Sequence, residues 1–116
     1  MSVIREVLKK LLSGPLTEDF PRKSSPTPEN YRGVHELDTD LCLYIRYGIC
    51  GSCEWVCPSN AICHLEEGGR RVFRLDLGKC IFCSTCMEIC PTKSIKLTRN
   101  YEFSRRSRGE IVLEWR

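Results

Sequence analysis

A chain of 116 residues with a formal net charge of +3 is long enough for one domain with extensions, but not for several domains. It contains nine cysteines, no secretory signal pattern, and no apolar run near the roughly 20 residues of a membrane-spanning helix. These features predict a reducing compartment, in which the cysteines bind metal rather than forming a disulfide framework.

The chain begins with a predicted amphipathic helix over residues 2–12, ended by Gly14 and Pro15. Its polar side carries basic residues, and its apolar stripe consists of Val3, Ile4, Val7, Leu8, Leu11 and Leu12. The stripe is expected to pack on its own domain, on a partner subunit or at a membrane interface, where the basic side suits a cytoplasmic surface.

Residues 13–33 are a connector that contains four prolines, at positions 15, 21, 26 and 28. Such a segment is extended and has no core of its own. Together with the helix it forms a predicted docking arm over residues 1–33. A free soluble carrier has little use for such an arm, whereas a subunit tethered to its neighbours does.

The second half of the chain holds a complete iron–sulfur motif. Cys80, Cys83, Cys86 and Cys90 follow the spacing C-x2-C-x2-C-x3-C and precede a proline, which is the run that binds [4Fe-4S] clusters in bacterial ferredoxins. Two such clusters need eight cysteines, and the nine in this chain are therefore enough for a second cluster.

An incomplete copy of the motif lies upstream and consists of Cys50, Cys53 and Cys57. An internal repeat identifies the missing first cysteine, because the phrase L-D-x-x-x-C leads into both Cys42 and Cys80. Seven residues separate Cys42 from Cys50, where two separate Cys80 from Cys83. We therefore interpret residues 43–49 as a loop lengthened by an insertion that displaces the ligand.

In two-cluster ferredoxins the cysteine before the proline ligates the cluster of the other half. The predicted ligands of cluster 1 are therefore Cys42, Cys50, Cys53 and Cys90. Those of cluster 2 are Cys80, Cys83, Cys86 and Cys57. This exchange predicts that neither half folds alone, that the clusters lie close together, and that the protein without clusters is largely unfolded.

Other interpretations of the cysteines remain open at this point. The runs could bind zinc or form disulfides, or the first cluster could have three cysteine ligands, with Tyr47 or water near the vacant corner. Cys63 is expected to be a small buried residue, and His35 and His64 to be surface or packing residues. None of these three is expected to be a ligand.

Residues 34–98 are predicted to form a small α+β domain of the bacterial 2[4Fe-4S] ferredoxin type, with pseudo-twofold symmetry. Strands are expected near 33–37, 62–65, 71–75 and 94–98, with a turn over 66–70 and short helical turns beside the cysteines. Trp55 is expected to pack. The apolar residues expected to surround the clusters are Ile49, Val56, Ile62, Ile81, Phe82, Ile89 and Ile95.

Residues 99–116 are predicted to be a C-terminal docking tail, with arginines followed by an apolar patch over 111–115. These arginines could bind RNA or acidic lipid. However, each oxidised cluster with its thiolates adds a charge of about −2, which brings the loaded protein close to neutral. Nucleic acid is therefore not expected as a partner.

The double motif resembles the eight-iron ferredoxins. A narrower resemblance, to the two-cluster subunit of the complex I family, covers almost the whole chain. This family includes energy-converting membrane-bound hydrogenases and sulfane sulfur reductases. The resemblance is carried by the N-terminal helix, the arm ending in ENYRG (29–33), and the phrases FRLDLGKCIFC (73–83) and LTRNYE (97–102). The short turn at 66–70 favours the hydrogenase and sulfane reductase branch.

The resemblance implies a subunit with two [4Fe-4S] clusters that carries electrons between a peripheral arm and a catalytic subunit. It implies a place on the cytoplasmic face of the membrane, among other subunits. The chain itself shows no nucleophile, general base or phosphate loop, so it is not expected to be catalytic alone. The alternatives are a free ferredoxin or the ferredoxin subunit of a soluble 2-oxoacid oxidoreductase, and a metal-stapled nucleic-acid-binding module.

Overall fold

A computed structural model describes residues 2–116 as an α+β protein with two antiparallel sheets. The strands are β1 (His35–Leu37), β2 (Ile62–Glu67), β3 (Arg70–Asp76), β4 (Ile95–Leu97) and β5 (Val112–Trp115). The helices are α1 (Ser2–Leu11), α2 (Leu43–Tyr47), α3 (Ser52–Val56) and α4 (Thr85–Ile89), and a 3-10 turn spans Arg108–Ile111. Strands lie at all four predicted places.

The first sheet joins the start of the ferredoxin-like region to its end. In it, β1 pairs with β4, so that His35 lies opposite Leu97 and Leu37 opposite Ile95. The side chains of β1 alternate between buried and exposed, because successive residues of a strand point to opposite faces. His35 and Leu37 consequently face the interior.

The second sheet is built on a hairpin between β2 and β3. The predicted turn between them is formed by Gly68 and Gly69, with φ angles of 58° and 80°. Two consecutive positive φ values are required by the tight turns that match the twist of paired strands, and glycine adopts them without strain. This hairpin places Ile62 opposite Leu75 and His64 opposite Phe73.

The third strand of this sheet lies within the predicted docking tail, residues 99–116. Residues 112–115 of its apolar patch form β5 and pair with β3, with Leu113 opposite Leu75. Trp115 packs edge-on against Phe73, with ring centroids 5.7 Å apart. The apolar side chains of this segment are therefore used within the domain, where they cover the open edge of β3.

The apolar core is small and lies between the strands and the cysteine loops. Its most fully buried side chains are those of Phe73, Leu75, Ile95 and Val72. Two cysteines, Cys42 and Cys86, belong to the same buried group. The core therefore ends at the cysteines, and packing alone gives this domain little stability.

The N-terminal region projects from the domain, and the whole molecule measures 71 × 29 × 22 Å. Residues 3–26 are all exposed, and the apolar stripe of α1 is 52–76% accessible. Within residues 2–116, no helix combines the length and apolar character that crossing a membrane would require. The arm joins the domain at Gly33, whose N–H donates to the carbonyl of Thr98.

Candidate iron–sulfur site

Eight of the nine cysteines line two cavities, with four at each. The first cavity is lined by Cys42, Cys50, Cys53 and Cys90, and the second by Cys57, Cys80, Cys83 and Cys86. The empty spaces measure about 300 and 320 Å³ respectively, with their openings to solvent included. Each cavity thus receives three cysteines from one half of the chain and one from the other.

The arrangement of the thiols fits a four-iron cluster. All nine cysteines are free of disulfide bonds. A cubane cluster takes one thiolate at each of four separated iron corners. The four cysteines of each set lie around a cavity, as a cubane requires.

The displaced Cys42 is positioned in the same way as Cys80. The N–H of Cys42 donates to the carbonyl of Asp38 at 3.1 Å, and the N–H of Cys80 donates to that of Asp76 at 3.2 Å. Each aspartate carboxylate also accepts a hydrogen bond from a backbone N–H two residues on. Such side-chain-to-backbone bonds hold a loop entrance in a fixed turn. The shared L-D-x-x-x-C phrase therefore corresponds to a shared local structure.

The insertion after Cys42 forms the short helix α2, which lies beside the first cavity. Its end is fixed at Gly48, which has a φ of 74° and donates its N–H back to the helix. From β3, the Arg71 guanidinium donates to the carbonyl of Arg46 at 3.0 Å. The hydroxyl of Tyr44 donates to the carbonyl of Leu65 at 3.0 Å. The longer loop is thus an ordered wall of the cavity, held against the β2–β3 hairpin.

The two cysteines that precede prolines lie in matching turns. The N–H of Asn60 donates to the carbonyl of Cys57, and that of Lys93 to the carbonyl of Cys90, both at 3.2 Å. The sulfurs have further polar partners: the N–H of Ala61 donates to Cys57 Sγ at 3.3 Å, and Ser94 Oγ lies 3.3 Å from Cys90 Sγ. Donors of this kind stabilise thiolates and the sulfurs of a cluster.

Two of the cysteines, one half-buried and one buried, require a positive partner to ionise. Burial, followed by nearby thiols, raises the pKa of Cys53 to about 12 and that of Cys86 to about 11. At Cys90 burial also raises the pKa, but hydrogen bonds from Ser94 and Thr92 outweigh it and lower the pKa to about 7. Because thiolates are the ligands of iron, a bound cluster must supply the charge that keeps Cys53 and Cys86 deprotonated.

The two histidines are more buried than a surface role would allow. His35 is 4% exposed, and its Nε2 lies 3.9 Å from Cys80 Sγ. The side chain of His64 is 6% exposed, with its Nε2 3.7 Å from Cys53 Sγ and its Nδ1 2.7 Å from a carboxylate oxygen of Glu54. The sequence did not indicate the contact of His35, because the three-residue strand β1 has too few positions to reveal its buried face.

The predicted apolar surround is only partly correct. Ile62 and Ile95 are buried, but Ile49, Ile81 and Ile89 are 76, 63 and 47% exposed. Trp55, expected to pack, is 94% exposed. Trp55 lies two residues after Cys53 on α3. The directions of two side chains at this spacing in a helix differ by about 200°. Because Cys53 points inward, Trp55 points away from the domain. Cys63 is half-buried opposite Arg74 and lines neither cavity.

Comparison with known proteins agrees with this geometry. Residues 48–94 match the model of the 4Fe-4S dicluster domain, a range that begins after Cys42. The chain is 28% identical to NADH-quinone oxidoreductase subunit I 2 of Geobacter metallireducens, over 94% of this chain and 87% of the relative. It is 30% identical to NAD(P)H-quinone oxidoreductase subunit I of Gloeobacter violaceus, over 84% of this chain.

A solved structure is also similar. The structure of the membrane-bound sulfane sulfur reductase, described as an archaeal respiratory membrane complex, contains a chain that matches with a TM-score of 0.71 and 28% identity, over 94% of this chain. Our chain spans 57% of that chain and 47% of the Gloeobacter relative. We conclude that residues 48–94 match a 4Fe-4S dicluster domain, whose cofactors are two [4Fe-4S] clusters, in a chain that is similar to NADH-quinone oxidoreductase subunit I.

Proposed function

We propose that the chain is an electron-transfer subunit of a membrane-bound respiratory complex. Cluster 1 is ligated by Cys42, Cys50, Cys53 and Cys90, and cluster 2 by Cys80, Cys83, Cys86 and Cys57. The observation that carries the proposal is the division of eight cysteines between two cavities of similar size, with one cysteine exchanged between the halves. The matching turns at the ligand loops support a pseudo-twofold relation between the halves.

The protein's contribution is to fix the ligands and limit solvent. When bound, each cluster accepts and passes on one electron at a time. The cysteines are held by backbone turns and by hydrogen bonds to their sulfurs, so little rearrangement accompanies a change of charge. Helices α3 and α4, which carry Cys53 and Cys86, pack against each other, which favours a short path between the two clusters.

We further propose that the chain docks among other subunits at the cytoplasmic face of a membrane. The sulfane sulfur reductase and the NADH-quinone oxidoreductase relatives support partner subunits of this general kind. The exposed apolar stripe of α1, with Lys9 and Lys10 in its last turn, supports peripheral contact through residues 2–12. In this organisation residues 1–33 are the docking arm, and 34–98 together with β5 form the cluster domain.

The proposal is tested by anaerobic purification of the complex, followed by iron and acid-labile sulfide analysis and EPR of the dithionite-reduced protein. We expect about eight irons per chain from two four-iron clusters and a spectrum of two interacting paramagnets. The chain should co-purify with membrane subunits. A colourless, iron-free protein would exclude the electron-transfer function, and an iron-loaded soluble monomer would favour the free ferredoxin.

A further inference from the structure

One histidine lies beside a cysteine of each cavity, but the two histidines are on different strands of the internal repeat. Alignment at the L-D-x-x-x-C phrase puts His35 where the second half has Phe73, and alignment at the Cys-Pro pairs puts His64 where the second half has Leu97. These four residues form two cross-strand pairs, His35 with Leu97 and Phe73 with His64. Each pair thus contains one histidine and one apolar residue. In one pair the histidine is on β1, and in the other it is on β2.

His35 is held with one ring nitrogen directed at the sulfur of Cys80, a proposed ligand of cluster 2. Its side chain lines the second cavity, and Nε2 lies 3.9 Å from Cys80 Sγ. The ring packs against Phe82, in the same ligand loop, with ring centroids 5.5 Å apart. With 4% exposure and a neighbouring strand on one side, the imidazole has little freedom to turn away.

The other nitrogen of His35 indicates where its proton lies. Within the part of the chain that the structure describes, Nδ1 of His35 is buried and has no hydrogen-bond partner. A neutral imidazole carries one N–H, and a buried N–H without an acceptor is costly. The tautomer with the proton on Nε2 avoids this cost, because that N–H can donate to the sulfur of Cys80.

We propose that His35 is a positioning residue that donates a hydrogen bond to the Cys80 thiolate and thereby raises the reduction potential of cluster 2. Reduction adds a negative charge to the cluster, and a donor to its sulfurs stabilises the more negative state. The first cavity differs, because His64 is also bound by the carboxylate of Glu54. The inference rests on the proposed function, since it requires both clusters.

The matched test replaces His35 with the residue that stands at the equivalent place in the other half. His35→Phe keeps an aromatic ring but removes the hydrogen-bond donor. His35→Gln keeps an N–H donor, which lies at a different distance from the backbone. In an EPR-monitored redox titration of the loaded protein, we expect His35→Phe to lower one of the two midpoint potentials and leave the other unchanged. His35→Gln should restore at least part of the shift.

A second measurement, on the wild type and on whichever variant keeps its iron, covers the case in which one variant loses a cluster. Pulsed EPR of reduced protein labelled with ¹⁵N-histidine should show hyperfine coupling between a histidine nitrogen and a cluster. We expect part of this coupling to vanish in His35→Gln or His35→Phe, whichever keeps its iron. Unshifted potentials in an iron-loaded His35→Phe protein, or unchanged coupling, would overturn the inference, whereas absence of iron from the wild type would overturn the proposed function instead.

Discussion

Tyr44 stacks on His64, with ring centroids 4.0 Å apart and an angle of 29° between the ring planes. Tyr44 belongs to the inserted helix α2, and His64 to β2 beside the first cavity. The contact therefore connects the lengthened loop to the strand that approaches Cys53. It gives residues 43–49 a structural role in closing the site of cluster 1.

This stack predicts that Tyr44→Ala weakens the retention of cluster 1. An aromatic pair contributes about 0.5–1.5 kcal/mol beyond its area, so we expect cluster loss to accelerate roughly two- to tenfold. The measurement is the decay of visible absorbance in the presence of an iron chelator, with EPR to identify the cluster. Tyr47→Ala is the control, because Tyr47 lies on the same helix but is 57% exposed. Equal rates in the two variants would contradict a role for the stack.

The assignment of Cys42 to cluster 1 predicts that replacing this residue removes cluster 1 and leaves cluster 2 in place. Cys42→Ser should lower the iron content to about four per chain, because cluster 1 loses a thiolate while cluster 2 keeps all four. Cys63→Ser should retain both clusters, since Cys63 lines neither cavity. Iron analysis and EPR check both variants. Retention of both clusters in Cys42→Ser would favour a first cluster with three cysteine ligands.

The strand β5 predicts that Trp115 stabilises the cluster domain. Trp115→Ala removes the edge-on contact with Phe73, and we expect the free energy of unfolding to fall by about 1–3 kcal/mol, since Trp115 is only partly buried. The denaturant midpoint for loss of visible absorbance measures this under anaerobic conditions. Glu114→Gln, which weakens an accessible ion pair with Arg74, should change the midpoint less. A larger fall of the midpoint in Glu114→Gln than in Trp115→Ala would show that β5 is held by charge rather than by packing.

The exposed apolar stripe of α1 predicts that a substitution within it changes the fraction of the protein recovered with membranes. Leu8→Asp places a charge in the apolar stripe and should reduce the fraction of the protein found with membranes, without changing its iron content. Lys10→Gln lowers the net charge by the same amount on the polar side, and we expect a smaller effect. Fractionation with immunodetection measures both variants. Equal losses would point to electrostatic attraction, and no loss would exclude α1 as the docking element.

The sequence was most informative where the chemistry is local. The cysteine spacing and the repeated L-D-x-x-x-C phrase predicted two sets of four cysteines, and the two cavities are lined by those sets. The turn at Gly68 and Gly69 was predictable because its residues determine its conformation. The spacing, the phrase and the turn are each read from neighbouring residues, whereas the exchange of Cys57 and Cys90 between the sets followed from the pattern of two-cluster ferredoxins.

The missed features depend on residues that are distant in sequence or on an element too short to show a pattern. The pairing of β5 with β3 joins Trp115 to Phe73, and no periodicity within four residues reveals such a partner. The contact of His35 with Cys80 likewise spans 45 positions. The exposure of Trp55 was missed because α3 is too short to show an apolar face by its pattern. Local patterns thus predicted which cysteines line the cavities, but not the residues around them.

The exchange of Cys57 and Cys90 between the cavities has a consequence for biosynthesis. The first cavity has three of its cysteines early in the chain, but its fourth, Cys90, leaves the ribosome after every cysteine of the second cavity. A nascent chain therefore cannot present a complete first site ahead of the second. We expect the assembly machinery to meet both empty sites at once, so that half-loaded protein marks failed maturation rather than an ordinary stage of it.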